Sequence, residues 1–157
     1  MGFNISNDSI ESLMMSTEFG SNRRRGAMQI ADVARRIQAC IANGDCASDC
    51  ATAWRWLLQF TDDFRGSSPS ARQWMTNDPP PLVGLSNYDA AIAGLVEHLC
   101  AQYRVEAPPW TCEETRFAKP WWFPANLPAL RARALRESPI SLKRHGVLVT
   151  AEAFDRV

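Results

Sequence analysis

Apolar positions recur at helical spacing along most of this chain, and the breaks between runs carry residues that end helices. Between Ala27 and Asn43, Ile30, Val33, Ile37 and Ile41 keep to one face, Arg35 and Arg36 fall elsewhere, and Asn43-Gly44 supplies a left-handed stop. A second helix is expected from about Cys46 or Ser48 to Phe64, with Cys50, Trp54, Leu57, Leu58 and Phe64 on one face and Trp56 and Phe60 widening it. So broad an apolar face predicts the central helix of a bundle, ended by Gly66. Ser68-Pro69 reads as an N-cap followed by proline at the first helical position, opening a short helix through Trp74 and Met75 that Asn77, Asp78 and three prolines close. Asn87 is the expected cap of the clearest helix, Tyr88 to Arg104, where Tyr88, Ile92, Leu95, Val96, Leu99 and Tyr103 form a stripe.

Beyond a segment rich in tryptophan and proline, Asn126 opens a predicted helix through Leu127, Leu130, Ala134 and Leu135 to Glu137. Ser138-Pro139 repeats the cap and proline device for a short helix ending at His145-Gly146. Val147 to Val149 reads as one extended strand with no second strand in the pattern, and Thr150 caps a last turn containing Phe154. Residues 1 to about 26 are poor in apolar positions and end in Arg23-Arg24-Arg25-Gly26, so a mobile N-terminal arm is expected there. The predicted fold class is therefore mainly α. It is an irregular bundle of about five to seven helices over residues 27–157, with at most one minor strand near the C-terminus.

Composition narrows the reading. A chain of 157 residues with 46% hydrophobic content suits one domain with a real core. No run approaches the roughly eighteen apolar residues of a spanning helix, and the N-terminus has no apolar signal core, so no membrane association and a cytoplasmic location are expected. Five cysteines, Cys40, Cys46, Cys50, Cys100 and Cys112, lie mostly on helical patterns and read as thiols. Formal net charge is zero, which removes any long-range pull toward nucleic acid. The distribution is less even: from Pro108 to Gly146 seven cations face three anions, a basic excess balanced by acidity elsewhere.

That same stretch gathers Trp110, Trp121, Trp122 and Phe123 among prolines, followed by Arg131, Arg133, Arg136, Lys143 and Arg144. At least one of Trp121, Trp122 and Phe123 is expected to plug the bundle, and since consecutive tryptophans in an extended segment point to opposite sides, burying both would need cover on each side; an exposed one is the candidate contact. Nothing elsewhere forms a catalytic constellation. Glu97 and His98 are neighbours about 100° apart on a helix, His145 is distant in sequence, and no serine or cysteine sits in a nucleophile elbow. Asp62-Asp63 and Glu113-Glu114 are adjacent pairs rather than the facing carboxylates that hydrolysis needs. Cys46, Cys50, His98, Cys100 and Cys112 lack the spacing of a zinc site, and no glycine-rich phosphate loop is present, so neither metal nor cofactor is expected.

Tyr88-Asp89-Ala90 through Glu97-His98-Leu99-Cys100, Pro109-Trp110-Thr111, Trp121-Trp122-Phe123-Pro124 and Ser138-Pro139-Ile140-Ser141-Leu142-Lys143-Arg144-His145-Gly146-Val147 occur here as an ordered set. In this the chain resembles a family of small helical proteins common in actinobacteria. Some members look like C-terminal extensions of helix-turn-helix proteins, and many stand beside a nucleotidyltransferase-like protein in an arrangement like a toxin and antitoxin pair. The resemblance runs from about residue 28 onward and is strongest after Asn87; Trp110, Trp122, Arg133, Ser138, Lys143 and Arg144 match by motif. It implies a non-enzymatic, antitoxin-like protein that binds and regulates a nucleotidyltransferase-like partner, and this chain lacks the fused members' helix-turn-helix.

Taken with the residues, the expected partner surface is Trp110, Trp121, Trp122, Arg131, Arg133, Lys143 and Arg144. Homodimerisation through the same surface is the second partner reading. Two alternatives remain open: a DNA-binding autoregulator using Arg23 to Arg25 and the Arg131 to Arg144 cluster, and a small enzyme using Glu97, His98 and His145.

Overall fold

The computed structural model describes residues 27–44, 51–125 and 127–154. The fold is mainly helical, and among the described residues there are six α-helices and no strand. They are α1 (Ile30–Ala42), α2 (Ala51–Arg65), α3 (Pro69–Asn77), α4 (Ser86–Tyr103), α5 (Pro128–Glu137) and α6 (Ile140–Arg144). Single 3-10 turns occupy Pro109–Cys112, Glu114–Arg116 and Ala151–Phe154. The predicted arm, its Arg23 to Arg25 run, Cys46, Cys50 and the Asn126 cap lie outside the described residues.

The centre of the bundle is α4, not α2 as the breadth of its apolar face suggested. From Tyr88 to Cys100 every residue of α4 except His98 is buried, whereas α2 buries only Ala53, Leu57, Phe60, Thr61 and Phe64. Small residues make this possible: Ala90, Ala91, Ala93 and Gly94 let neighbours approach from sides where a stripe alone would leave solvent. Of the two aromatics that widen the face of α2, Phe60 is buried, whereas Trp56 is half-buried with Arg36 4.4 Å over its ring. Helix α1 packs against α2, and α3 closes one end. As expected, the Ser68 hydroxyl caps α3, accepting from the Ala71 amide at 3.4 Å.

The closest helix packing joins α4 to α6. Gly94 is the reason, since a Cβ there would lie 3.0 Å from Leu142 Cδ2 and 3.1 Å from Leu142 Cα. After α6 the chain turns at Gly146, whose φ of +80° and 2.5 Å approach of any added Cβ to the Ala118 carbonyl oxygen admit only glycine. The stretch Val147 to Val149 is buried and extended, yet pairs only through a single parallel bridge between Trp122 and Val147. Ala118 donates to His145 O at 2.8 Å, Trp122 to Gly146 O at 2.8 Å, and Leu148 to Trp122 O at 2.9 Å. Ser138 does not repeat the capping role of Ser68. It is buried, donating to Val147 O at 3.2 Å and accepting from the Val149 amide at 3.3 Å, which ties the α5–α6 junction to this extended segment.

Candidate functional site

The aromatic and basic positions singled out in the sequence divide into an inner and an outer set. Trp110 belongs inside: it is 5% exposed and its indole N–H donates to Thr76 O at 3.0 Å, plugging the bundle beside α3. Its placement leaves no surface for a partner, correcting the expectation that it contacts one. Trp122 is half-buried, edge-on to Trp54 at 6.4 Å and to Tyr88 at 5.1 Å between ring centroids. Trp121 points the other way and is 61% exposed. The period-two geometry around the bridge residue Trp122 thus separates the two indoles.

The cations divide similarly. Arg133 is held within the molecule: its Nε donates to Glu137 at 2.9 Å and its Nη2 to Glu152 at 2.5 Å. Those carboxylates raise the Arg133 pKa further, and the hydrogen bond from Arg133 lowers that of Glu137 below the usual carboxylate value. Arg136 also meets Glu137, at 3.3 Å. Arg144 binds Glu97, and Lys143 is half-buried in the last turn of α6. Arg131 is exposed and lies 5.4 Å over the Phe123 ring. Arg133 and Arg136 share Glu137, Arg133 also meets Glu152 and Arg144 meets Glu97, so three carboxylates stand against the five cations of this cluster.

What gathers on the outside is a stripe along α5. Leu127, Arg131 and Leu135 recur every four residues and are all exposed, Leu127 at 60% and Leu135 at 45%. On the inward side of α5, Ala134 is buried and Leu130 half-buried. Trp121 and Ile140 are the other exposed large apolar side chains of this part of the chain. The sequence pattern ran this helix through Leu127, Leu130, Ala134 and Leu135 without assigning a face to each, so Leu127 and Leu135 were not named as surface residues.

Of the three residues named for the enzyme alternative, Glu97 and His145 come together in a polar cluster beside α6. Packing at Gly94 carries His145 against α4 one turn further along, so that His145 Nε2 lies 3.2 Å from Glu97 Oε2, out of line for a full hydrogen bond. The ring nitrogen Nδ1 is 2.6 Å from the Arg116 carbonyl, which only accepts, so the ring carries a proton there. Cys112 Sγ is 3.9 Å from Glu97 Oε1 and 3.8 Å from Arg144 Nη2. His98 is not brought into this group. The thiol meets the carboxylate and guanidinium rather than the imidazole, so the pair used in nucleophilic catalysis is not formed. His145 is fully enclosed and stacked on Phe117 at 4.4 Å, which makes the cluster a clamp between α4, α6 and the Glu114–Arg116 turn.

Next to it, Arg116 is 2% exposed and spans three elements: Nη2 donates to Pro80 O at 2.5 Å, Nη1 lies 3.6 Å from Asp89, and the guanidinium sits 5.2 Å from the Trp110 ring centre. Asp89 accepts from the Val83 amide at 2.8 Å. Burial raises the Asp89 pKa and lowers that of Arg116, in each case against the attraction of the other. Burial likewise pushes the Cys100 thiol up to about 11, consistent with a packed, unreactive sulfur.

Among the described residues no three histidine, cysteine, aspartate or glutamate side chains stand together as a metal site, and no helix is long and apolar enough to cross a membrane. Comparison with protein-family models, curated proteins and solved structures finds no match to this chain.

Proposed function

We propose that this chain is a non-enzymatic interaction protein that binds a partner protein through the outer face of α5 and the neighbouring Trp121. One observation carries the reading. Of the six exposed large apolar side chains among the described residues, four (Trp121, Leu127, Leu135 and Ile140) fall within residues 121–140, interleaved with arginines. Tryptophan and arginine dominate interface energetics, and apolar side chains gathered in one stretch mark contact surfaces more often than scattered ones do. The resemblance described above points to a nucleotidyltransferase-like protein as the partner, regulated by occlusion. The buried Trp110 and the carboxylate-paired, partly exposed Arg133 hold the scaffold in this reading, and Trp121, Arg131, Leu127 and Leu135 make the contact.

The test is capture of partners by the tagged chain from lysate of its own organism, followed by binding of the purified pair. Wild type is compared with Trp121→Ala and Leu135→Ser, whose fold is checked by circular dichroism. Recovery of a nucleotidyltransferase-like protein by wild type, lost in both folded variants, is the expected result. A partner that binds both variants as well as wild type would place the interface elsewhere, and recovery of no protein would end the reading.

A further inference from the structure

Between α5 and the body of the bundle lies a half-enclosed cavity of about 400 Å³, walled by Trp54, Tyr88, Trp122, Leu130 and Leu148 with Thr150 at its edge. Voids of this size are rare in packed interiors, where side chains interdigitate to near-crystalline density, and a binding site for a small ligand typically has about 300–1,000 Å³. The cavity exists because the inward side of α5 is thinly furnished. Ala134 is the one buried residue described on that helix, and its neighbours across the gap include Ala51, Ala125 and Ala153. The opposite wall is fixed. Trp122 is held by backbone hydrogen bonds to Gly146 and Leu148, and Trp54 is stacked on the buried Phe154 at 5.1 Å while its N–H reaches Ala153 O at 3.4 Å.

We infer that this cavity is a binding site for a small, uncharged, largely aromatic molecule. Size sets the upper bound, and the lining sets the chemistry. Among the described residues, the twelve that line the space carry no charge at neutral pH. An ionised ligand would therefore lose its hydration without gaining a counter-charge, a penalty that apolar contact could not recover. Two indoles and a phenol ring at steep mutual angles, 75° for Trp54 with Trp122 and 64° for Tyr88 with Trp122, instead offer both faces and edges to a planar guest. The Thr150 hydroxyl gives such a guest one polar group to address. This inference is independent of the partner proposed for the outer face of α5.

A matched pair of probes tests it. N-phenyl-1-naphthylamine is neutral and aromatic, and 1-anilinonaphthalene-8-sulfonate carries the same skeleton with an added sulfonate. Titrated into the 157-residue chain, the neutral probe should bind saturably at one site and quench tryptophan emission by energy transfer from Trp54 and Trp122. The sulfonate should bind at least about tenfold more weakly. Ala134→Leu or Ala153→Leu, each filling the space from a different wall, should reduce affinity for the neutral probe about tenfold or more, with unfolding transitions confirming that at least one variant is folded. Equal affinity for both probes, absence of saturable binding, or undiminished binding by a folded filled variant would overturn the inference. Exclusive binding of a protein's aromatic side chain, with no uptake of the neutral probe, would overturn it too.

Discussion

Replacing Gly94 by alanine sets two effects of opposite sign against each other, and the structure decides between them. In a solvent-facing helix the change favours folding by about 0.8–1.0 kcal/mol through helix propensity. In α4 the new methyl would stand 3.1 Å from Leu142 Cα and 3.4 Å from His145 Cβ, against the roughly 3.5–4.0 Å at which carbon atoms attract. The Leu142 side chain can rotate away, but its α-carbon is part of the backbone, so α6 as a whole must retreat by a few tenths of an ångström. Overpacking of this kind costs about 1–3 kcal/mol, which exceeds the propensity gain. The net expectation is destabilisation of about 1 kcal/mol, read from urea unfolding followed by circular dichroism, with an unchanged m-value. Leu142→Ala alone should cost about 2–5 kcal/mol by leaving a cavity. In the double variant the two costs should fall short of their sum, because loosened α6 packing makes room for the new methyl. If Gly94→Ala proves stabilising by about 1 kcal/mol, the helix is not pinned against α6 and the account of this packing is wrong.

Trp110→Ala is expected to cost about 3–5 kcal/mol and Trp121→Ala to stay within about 0.5 kcal/mol, measured by the same unfolding assay; equal effects would contradict their separation into plug and surface residue. Arg116→Met should destabilise by about 3–5 kcal/mol by leaving Asp89 without its cation, and combining it with Asp89→Asn should recover part of that loss; additivity of the two changes would show that the pair is not coupled. For Glu137 the folded pKa lies below the ordinary value, so its contribution to stability is present above that value and is lost as pH falls through the folded pKa. Asp89, with a raised folded pKa, works in the opposite sense: its contribution is present below the ordinary aspartate value and lost as pH rises through the folded one. Glu137→Gln should therefore flatten the loss of stability on acidification below the usual carboxylate range, and an unchanged acid limb in that variant would refute the assignment.

Local signals carried α1, α3 and α4 to within a few residues of their observed bounds, because apolar period is a property of neighbouring positions; the cap expected at Asn87 instead falls inside α4, which begins at Ser86 after Leu85 with no side-chain cap. The opposed Trp121 and Trp122 were legible for the same reason: the alternation of an extended backbone needs no tertiary knowledge. What failed was anything set by residues distant in sequence. Ser138 has the same Ser-Pro signature as Ser68, yet the extended segment at Val147 and Val149 claims its hydroxyl. Glu97 and His145 were named together only in the enzyme alternative, with no spacing to join them, and they meet because Gly94 allows α6 to settle on α4. The exposure of Leu127 and Leu135 was hidden because a leucine pattern on a helix signals burial without naming which side is covered.

The attachment of α5 has a practical meaning for anyone handling the protein. Its apolar anchorage rests on Ala134 and the half-buried Leu130, and the bridge from Arg133 to Glu152 fastens it to the C-terminal turn. That bridge is partly exposed, so electrolyte weakens it, over a screening length that shrinks from about 10 Å at 0.1 M salt to about 3 Å at 1 M. The helix displays the leucine and arginine stripe on one side and closes the aromatic cavity on the other. An exposed ion pair is worth about 0–1 kcal/mol, so raising the salt is expected to loosen this attachment by no more than that, and ionic strength is a variable to hold fixed when either surface is assayed.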